Sequence, residues 1–201
     1  MVPILYEDKD IIVVHKPAGL ESQSSRGFAP DMVSEISCYL HNPQDIHKPA
    51  AGISRVQPPY VGVIHRLDKP VQGVMVYAKN QKSAAALSAA LQAGKMEKFY
   101  MAVICGQLVD KQGSYVDYLR QDRKNNTSEI VDKSVKDAKK SVLKYREMEV
   151  IHSPEDKEKM VSLIDIELLT GRHHQIRVQF AGHGTPRLWG WTVWRGHIHN
   201  C

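Results

Sequence analysis

The chain has 201 residues, 42% of them hydrophobic, a size and composition typical of one α+β domain with a substantial core. Its formal net charge of +5 favours a polyanionic partner, although many basic proteins bind none. No apolar run could span a bilayer, no signal peptide is evident, and three scattered cysteines indicate neither a disulfide framework nor a zinc site, so we expect a cytoplasmic protein without a membrane partner.

Residue patterns predict short strands that alternate with three helices. In chain order they comprise strands at 4–6 and 11–15, a helix at 32–40, strands at 61–64 and 74–78, a helix at 83–93, strands at 98–104, 141–150 and 161–169, and a helix that begins near Arg172. The Ser- and Gly-rich residues 21–31 and the aperiodic residues 41–59 are expected to form loops.

The segment Val61–Lys79 places one carboxylate, Asp68, among basic residues between two apolar strand patterns. The bases are His65, Arg66 and Lys69, in the connection HRLDKP. An anion in these surroundings should stay ionised, which suits a nucleophile better than a general acid. The alternative is a turn aspartate that accepts hydrogen bonds from the amides of its own loop.

A second polar segment, LLTGRHHQIRVQFAGHG at 168–184, follows an alternating strand pattern. The helix predicted here would carry Arg172, His173 and His174 in its first turn, where the helix dipole disfavours cations. Such cations usually have an anionic partner. That partner could be Asp68, an RNA phosphate or a surface glutamate.

Tyr100 and Lys98 share one face of the strand predicted at 98–104. A tyrosine beside a lysine fits the stacking of a base with a phosphate nearby, and the alternative is a half-buried tyrosine that packs across the sheet. The lysine-rich residues 133–144 either contact an RNA backbone or form a solvated edge.

Four segments, in this order, resemble the RluA class of ribosomal large-subunit pseudouridine synthases, which isomerise uridine to pseudouridine in structured RNA. They read ILYEDKDIIVVHKPAGL, HRLDKPVQGVMVYAK, KFYMAVICG and TGRHHQIRVQFAGHG, and they span most of residues 4–186. The resemblance implies an α+β pseudouridine synthase fold with a mixed, mainly antiparallel bent sheet, flanking helices and an active-site cleft across the sheet. It also places the KPAGL stretch near the active site, whereas its residues alone are equally compatible with a simple turn.

The resemblance assigns roles to individual residues. Asp68 would be the nucleophile, Tyr100 would stack on the target base, and Arg177 would pair with the nucleophile. Arg66 would help to hold the RNA open around the extruded nucleotide. Further RNA contacts are expected from His65, Lys98, Arg172 and His174. The reaction needs no redox step, so no cofactor or metal is expected, and the partner would be ribosomal or transfer RNA. The sequence carries no signal of oligomeric state, and a monomer is the default expectation.

The chain departs from the family pattern at a few positions. Val71 and Gln72 replace the usual small hydroxyl residues after HRLDKP, and His173 replaces the more frequent threonine. These changes affect local geometry but leave the proposed nucleophile in place.

The C-terminal segment departs further. The family usually continues with GDxxYG after Pro186, whereas this chain reads RLWGWTVWRGHIHNC, which holds all three tryptophans. Read one nucleotide later, codons for residues 187–196 permit VYGDGRYGGD, which contains the missing motif. We therefore hypothesise a catalytic domain at 1–186 and, at 187–201, a frameshifted tail that replaces the rest of the domain. The alternative is an aromatic clamp for RNA or a membrane.

Two other functions remain open from the sequence. A catalytically inactive RNA-binding relative would share the fold and the charge. A metal-dependent hydrolase could be drawn from the four histidines His65, His173, His174 and His183, although no known ligand spacing such as HExxH is present.

Overall fold

The computed structural model describes residues 2–24, 30–41, 58–153 and 156–184, together with the backbone of 188–195. The chain forms two compact units, Met1–Lys95 and Met96–Cys201. Among the described residues, no helix combines the length and the apolar character needed to cross a membrane.

The first unit is an antiparallel sheet with two helices. Its elements are β1 (Ile4–Glu7), β2 (Ile11–Lys16), α1 (Met32–Leu40), β3 (Gly62–Val63), β4 (Gln72–Ala78) and α2 (Gln81–Gln92). Strand β2 lies between β1 and β4, and β3 pairs with the other edge of β4. Alternate residues of β2 are buried, so Ile12, Val14 and Lys16 all face the interior. The strand period therefore places a lysine on the core side of the sheet.

The second unit is a larger antiparallel sheet that carries one helix. Its elements are β5 (Phe99–Cys105), β6 (Gln112–Asp122), β7 (Thr127–Val131), β8 (Lys139–His152), β9 (Met160–Leu168), α3 (Gln175–Gly182) and β10 (Leu188–Arg195). The strand order is β10-β5-β9-β8-β6-β7. Ile176 and Phe180 of α3 pack on a core that includes Ile104 and Ile166, so the sheet fixes the buried face of this helix.

Most of the predicted elements are present. Helix α1 has the predicted bounds because Asp31 caps it: the Asp31 carboxylate accepts from the amide of Ser34 at 2.7 Å, and Ser34 Oγ accepts from the amide of Asp31 at 3.0 Å. The strand predicted at 61–64 is reduced to the two residues of β3. Most of the two predicted loops lies outside the described residues, and so does the proposed boundary after Pro186.

The prediction that the third helix begins near Arg172 was wrong. Helix α3 begins at Gln175, after a turn in which the amide of Gln175 donates to the carbonyl of Arg172 at 3.1 Å. His174 has a φ of +52°, in the left-handed region, which interrupts helical geometry. Arg172 and His174 therefore precede the helix instead of occupying its first turn, where the dipole disfavours positive charge.

Strands β6 and β7 were not predicted. They form an antiparallel hairpin in which Asp122 pairs with Thr127, and most of their side chains are exposed. The less exposed face of β6 carries Tyr115, Asp117 and Leu119, so a charged residue interrupts its apolar alternation and the sequence pattern of a half-buried strand is weak.

Candidate active site

Two loops of the first unit are joined by hydrogen bonds. One follows β2 and contains the KPAGL stretch, and the other precedes β4 and contains HRLD. The amide of Gly19 donates to the carbonyl of Lys69 at 2.8 Å. Gly19 has a φ of +87°, a conformation that favours glycine. The KPAGL and HRLD segments therefore form one structural feature.

Ser22 fastens the HRLD loop directly. Its hydroxyl donates to the carbonyl of Leu67 at 2.7 Å and accepts from the amide of the same residue at 3.0 Å. The hydroxyl of Tyr77 donates to the carbonyl of Ser22 at 3.1 Å. Burial, with a smaller effect of the Asp31 charge, raises the pKa of Tyr77 far above its ordinary value, so this donor keeps its proton. The backbone next to Asp68 is thus held by buried side chains.

Lys16, on the buried face of β2, forms hydrogen bonds with both of these loops. Its side chain is fully buried, and Nζ donates to the carbonyls of Leu20 at 2.6 Å, Pro17 at 3.0 Å and Lys69 at 3.3 Å. Burial lowers the pKa of Lys16 to about 8, while the charge of Asp68 acts in the opposite direction. Lys16 is therefore a cation in the electrostatic environment of the proposed nucleophile. The sequence had predicted a role for the KPAGL stretch but not for Lys16 itself.

The residues around Asp68 lie in different surroundings. Asp68 is half-buried, and its carbonyl accepts from the amide of Val71 at 2.9 Å, which closes the turn. Arg66 is exposed, and Lys69 forms a solvent-exposed ion pair with Glu21 at 3.6 Å. His65 Nε2 accepts from the backbone amide of Val76 in β4 at 3.4 Å, a long hydrogen bond.

Tyr100 lies in the central part of the second unit's sheet. Its strand β5 pairs with β9 on one side and β10 on the other, and Tyr100 is opposite Ile166 and Trp194 in the two registers. The half-buried side chain packs against the hydrophobic core that contains Ala102. Tyr100 and Ala102 share the face predicted for them. A rigid sheet position of this kind gives an aromatic ring a defined orientation.

Lys98 and Arg172 form a pair of neighbouring cations in the second unit. Lys98 Nζ lies 3.8 Å from the point where a Cβ on Gly171 would stand. Burial lowers the pKa of Lys98, and the charge of Arg172 lowers it further. Arg172 Nε donates to the carbonyl of Lys140 at 3.0 Å. Among the described residues of this unit, no carboxylate forms an ion pair with Lys98 or Arg172, so the pair is a local concentration of positive charge.

The histidines of the TGRHHQIR segment lie side by side. The ring centroids of His173 and His174 are 3.7 Å apart, and His173 Nδ1 lies 2.9 Å from Ser128 Oγ of β7. Arg177, on α3, is exposed and makes no ion pair with a described residue of its own unit. Asp68 belongs to the first unit and Arg177 to the second, and their pairing stays a prediction.

The described part of the chain contains no group of three or more His, Cys, Asp or Glu side chains arranged to hold a metal ion. In the second unit, His173 instead contacts Ser128, and His183 lies 3.1 Å from Asp117.

Comparison with known proteins points to one family. The model of the RNA pseudouridylate synthase family matches residues 10–182. A relative from Aquifex aeolicus, described as an uncharacterized RNA pseudouridine synthase, is 34% identical over 187 residues, which are 93% of this chain and 54% of the relative. The ribosomal large subunit pseudouridine synthase D of Pseudomonas aeruginosa is 31% identical over 195 residues, 97% of this chain and 54% of that protein. The chain thus spans about half the length of these curated relatives.

Solved structures support the fold. Human RNA pseudouridylate synthase domain containing 1 superposes with a TM-score of 0.66 at 19% identity, over 92% of this chain and 66% of that one. Human RNA pseudouridylate synthase domain containing 4 superposes with a TM-score of 0.64 at 22% identity, over 94% and 67% of the two chains. The α+β pseudouridine synthase fold is confirmed. The chain belongs to the RNA pseudouridylate synthase family, as the four segments had indicated.

Proposed function

We propose that this protein is an RNA pseudouridine synthase that isomerises specific uridines in ribosomal or transfer RNA. Family membership supports the reaction class. The observation that carries the proposal is the construction of the HRLD loop, in which Ser22 and Lys16 hold the backbone on both sides of Asp68. A nucleophile needs such a fixed position because small displacements of reacting groups cost large factors in rate.

The chemistry explains the residue types. A uracil inside a stack cannot be reached, so the enzyme must extrude it into a pocket and support its face. Tyr100 provides that support. The bond between the ribose and the ring nitrogen then breaks and a bond to a ring carbon forms, with no net oxidation or reduction. Asp68 forms a transient covalent bond, to the sugar or to the ring, and leaves again, so the reaction needs neither a cofactor nor a metal.

The remaining site residues bind the RNA and orient the nucleophile. Arg177 orients Asp68 through a charge-assisted hydrogen bond. Lys98 and Arg172 concentrate positive charge beside the strand of Tyr100, which suits a backbone phosphate of the extruded nucleotide. Further contacts with the RNA come from Arg66, His65 and His174. The protein acts as a cytoplasmic monomer.

A second candidate is an RNA-binding protein without catalysis. The sequence of residues 187–201 favours it because the GDxxYG motif of the family is missing there. Such a protein would keep its basic surface and the Tyr100 ring for stacking on a base, but it would lack the geometry that catalysis needs.

Pseudouridine mapping distinguishes the two candidates. Bulk cellular RNA that lacks the modification would be incubated with the wild-type chain, with Asp68→Asn and with the matched control Asp110→Asn, which changes an exposed carboxylate in the other unit. We expect new pseudouridine at defined sites with the wild type and the control and none with Asp68→Asn, at similar RNA affinity because phosphate contacts dominate binding. Wild-type turnover by Asp68→Asn would contradict the nucleophile assignment. RNA binding without any modification would favour the second candidate.

A further inference from the structure

A chain of buried polar side chains runs along α3 and ends at the backbone of Arg172. Gln179 Nε2 donates to the Asp117 carboxylate of β6 at 2.7 Å. Gln175 Nε2 donates to Gln179 Oε1 at 2.9 Å, and Gln175 Oε1 accepts from the amide of Arg172 at 3.0 Å. Both glutamines are buried, so each of their polar atoms needs a partner inside the protein.

The donor and acceptor roles along this polar chain follow from the carboxylate at its end. Carboxylate oxygens accept, so Gln179 must turn its NH₂ group towards Asp117. The oxygen of Gln179 is then left for the NH₂ group of Gln175. The oxygen of Gln175 in turn faces donors, the amide of Arg172 and the hydroxyl of Thr170 at 2.8 Å. The Asp117 carboxylate, which accepts the shortest bond, and the carbonyls of Ser141 and Val142 all favour this orientation of the two amides, which leaves the oxygen of Gln175 for the Arg172 amide.

The polar chain is anchored to β8 as well. Gln175 Nε2 also donates to the carbonyl of Val142 at 3.1 Å, and Thr170 Oγ1 accepts from the amide of Val142 at 2.8 Å. Gln179 Nε2 has a second, longer contact with the carbonyl of Ser141 at 3.4 Å. These hydrogen bonds attach Thr170 and the two glutamines to strand β8, in addition to the hydrophobic packing of α3 on the sheet.

Asp117 is held from its other side by an aromatic pair. His183 Nε2 lies 3.1 Å from Asp117 Oδ2, and the His183 ring stacks on Tyr115 with centroids 3.9 Å apart. Tyr115 packs in turn on Phe180 of α3. The carboxylate at the end of the polar chain therefore has a fixed position.

We propose that Asp117 and Gln179 are positioning residues, which fix Arg172 and with it the cationic pair of Lys98 and Arg172 that binds RNA. Arg172 precedes α3, so helical hydrogen bonds do not hold its amide, and the side chain of Gln175 does so instead. The role in RNA modification rests on the proposed function. The effect on hydrogen exchange at the Arg172 amide is independent of the proposed function.

The test uses the full chain with three single substitutions in the polar chain, a control substitution outside it, and the double variant Asp117→Leu/Gln179→Met. Asp117→Leu removes the terminal acceptor by replacing the two carboxylate oxygens with methyl groups on the same branched frame, and Gln179→Met removes the middle of the polar chain. Asp117→Asn keeps an oxygen that can accept from Gln179. Gln121→Met, on the exposed end of β6, is the control. Hydrogen exchange of the Arg172 amide is measured by NMR, and single-turnover pseudouridine formation is measured well below the unfolding temperature of each variant.

We expect Asp117→Leu and Gln179→Met each to speed exchange at Arg172 and to lower the single-turnover rate by about tenfold or more, since a buried donor or acceptor loses its partner. The double variant should be no worse than either single one, because both substitutions break the same chain of bonds. Asp117→Asn and Gln121→Met should stay close to the wild type. A purely structural network would change the unfolding temperature and leave the rate of the folded protein unchanged.

Wild-type exchange at Arg172 in Gln179→Met, or effects of the two substitutions that add, would overturn the proposal. Should Asp117→Leu not fold, Gln179→Met and Asp117→Asn still decide it. Absence of pseudouridine with the wild-type chain would contradict the proposed function, and exchange at Arg172 would then decide the positioning role alone.

Discussion

Lys16 and Asp68 are electrostatic neighbours in the first unit, a fully buried ammonium group and the carboxylate that we propose as the nucleophile. The lysine is buried because β2 turns every second side chain inwards. Three backbone carbonyls accept its hydrogen bonds, one of them from the residue after Asp68. These hydrogen bonds offset part of the cost of burying the charge and hold the loop that contains Asp68.

The burial of Lys16 predicts a dependence of stability on pH. The pKa of Lys16 is about 8 in the folded protein and near 10.5 when unfolded, so between these values the unfolded chain binds a proton that the folded one does not. The burial cost is therefore fully present below about pH 8 and disappears as the pH approaches about 10.5. The free energy of unfolding of the wild type, relative to Lys16→Met, should rise across that window.

Urea denaturation of both proteins at several pH values between 7 and 10.5 measures this difference, in which other titrating groups cancel. Lys82→Met on the exposed face of α2 should show no such trend relative to the wild type. A difference between wild type and Lys16→Met that stays flat or falls with pH would refute the assignment.

Ser22→Ala should weaken the HRLD loop. The substitution leaves the buried amide and carbonyl of Leu67 without their partner, at a cost of about 1–3 kcal/mol in the free energy of unfolding. Turnover should fall as well, because Leu67 is next to Asp68. Chemical denaturation and single-turnover assays measure both effects, with Ser114→Ala on the exposed part of β6 as control. Stability and turnover equal to those of the control would show that Ser22 does not hold the loop.

Lys98→Met should reduce the salt dependence of RNA binding. If Lys98 neutralises one phosphate, the slope of log affinity against log salt concentration should become shallower by about 0.7 to 0.9. The free energy of unfolding should not fall, since a half-buried charge next to Arg172 is removed. Binding titrations at several salt concentrations measure the slope, and Lys82→Met provides the control. An unchanged slope would place Lys98 away from the phosphates.

The tail hypothesis predicts a single-base slip in the encoding DNA near the codon of Pro186. A chain restored to the other frame should unfold at a higher temperature and modify RNA faster, because a restored core strand or helix would bury apolar surface that the altered tail leaves exposed. Sequencing of the DNA and a thermal melt of both chains test this. An intact reading frame without a slip would disprove the hypothesis. Equal turnover of both chains would show that the altered tail is dispensable.

Local patterns in the sequence were sufficient for much of the fold. Helix α1 was predicted with its observed bounds because an amphipathic pattern and the Asp31 cap act within a few residues. Strand β2 was predicted as a short apolar strand, and β5 and β9 were predicted from alternating patterns. The four ordered segments were sufficient for the family, because each keeps several chemically specific residues together.

Other features depend on contacts between distant residues. Nothing local separates Lys16 from an ordinary turn lysine, since its burial and its three acceptors come from loops that meet only after folding. The Gln179–Asp117 bond joins residues 62 positions apart. The less exposed face of β6 includes a charged residue, Asp117, whose partners come from α3 and the residue after it. Periodicity records which face of an element is buried, so the sequence by itself determined most of the elements, and its ordered segments determined the family. Only the tertiary structure decided which polar groups become partners, because hydrogen bonds and charges act over a few ångströms between segments that the sequence separates.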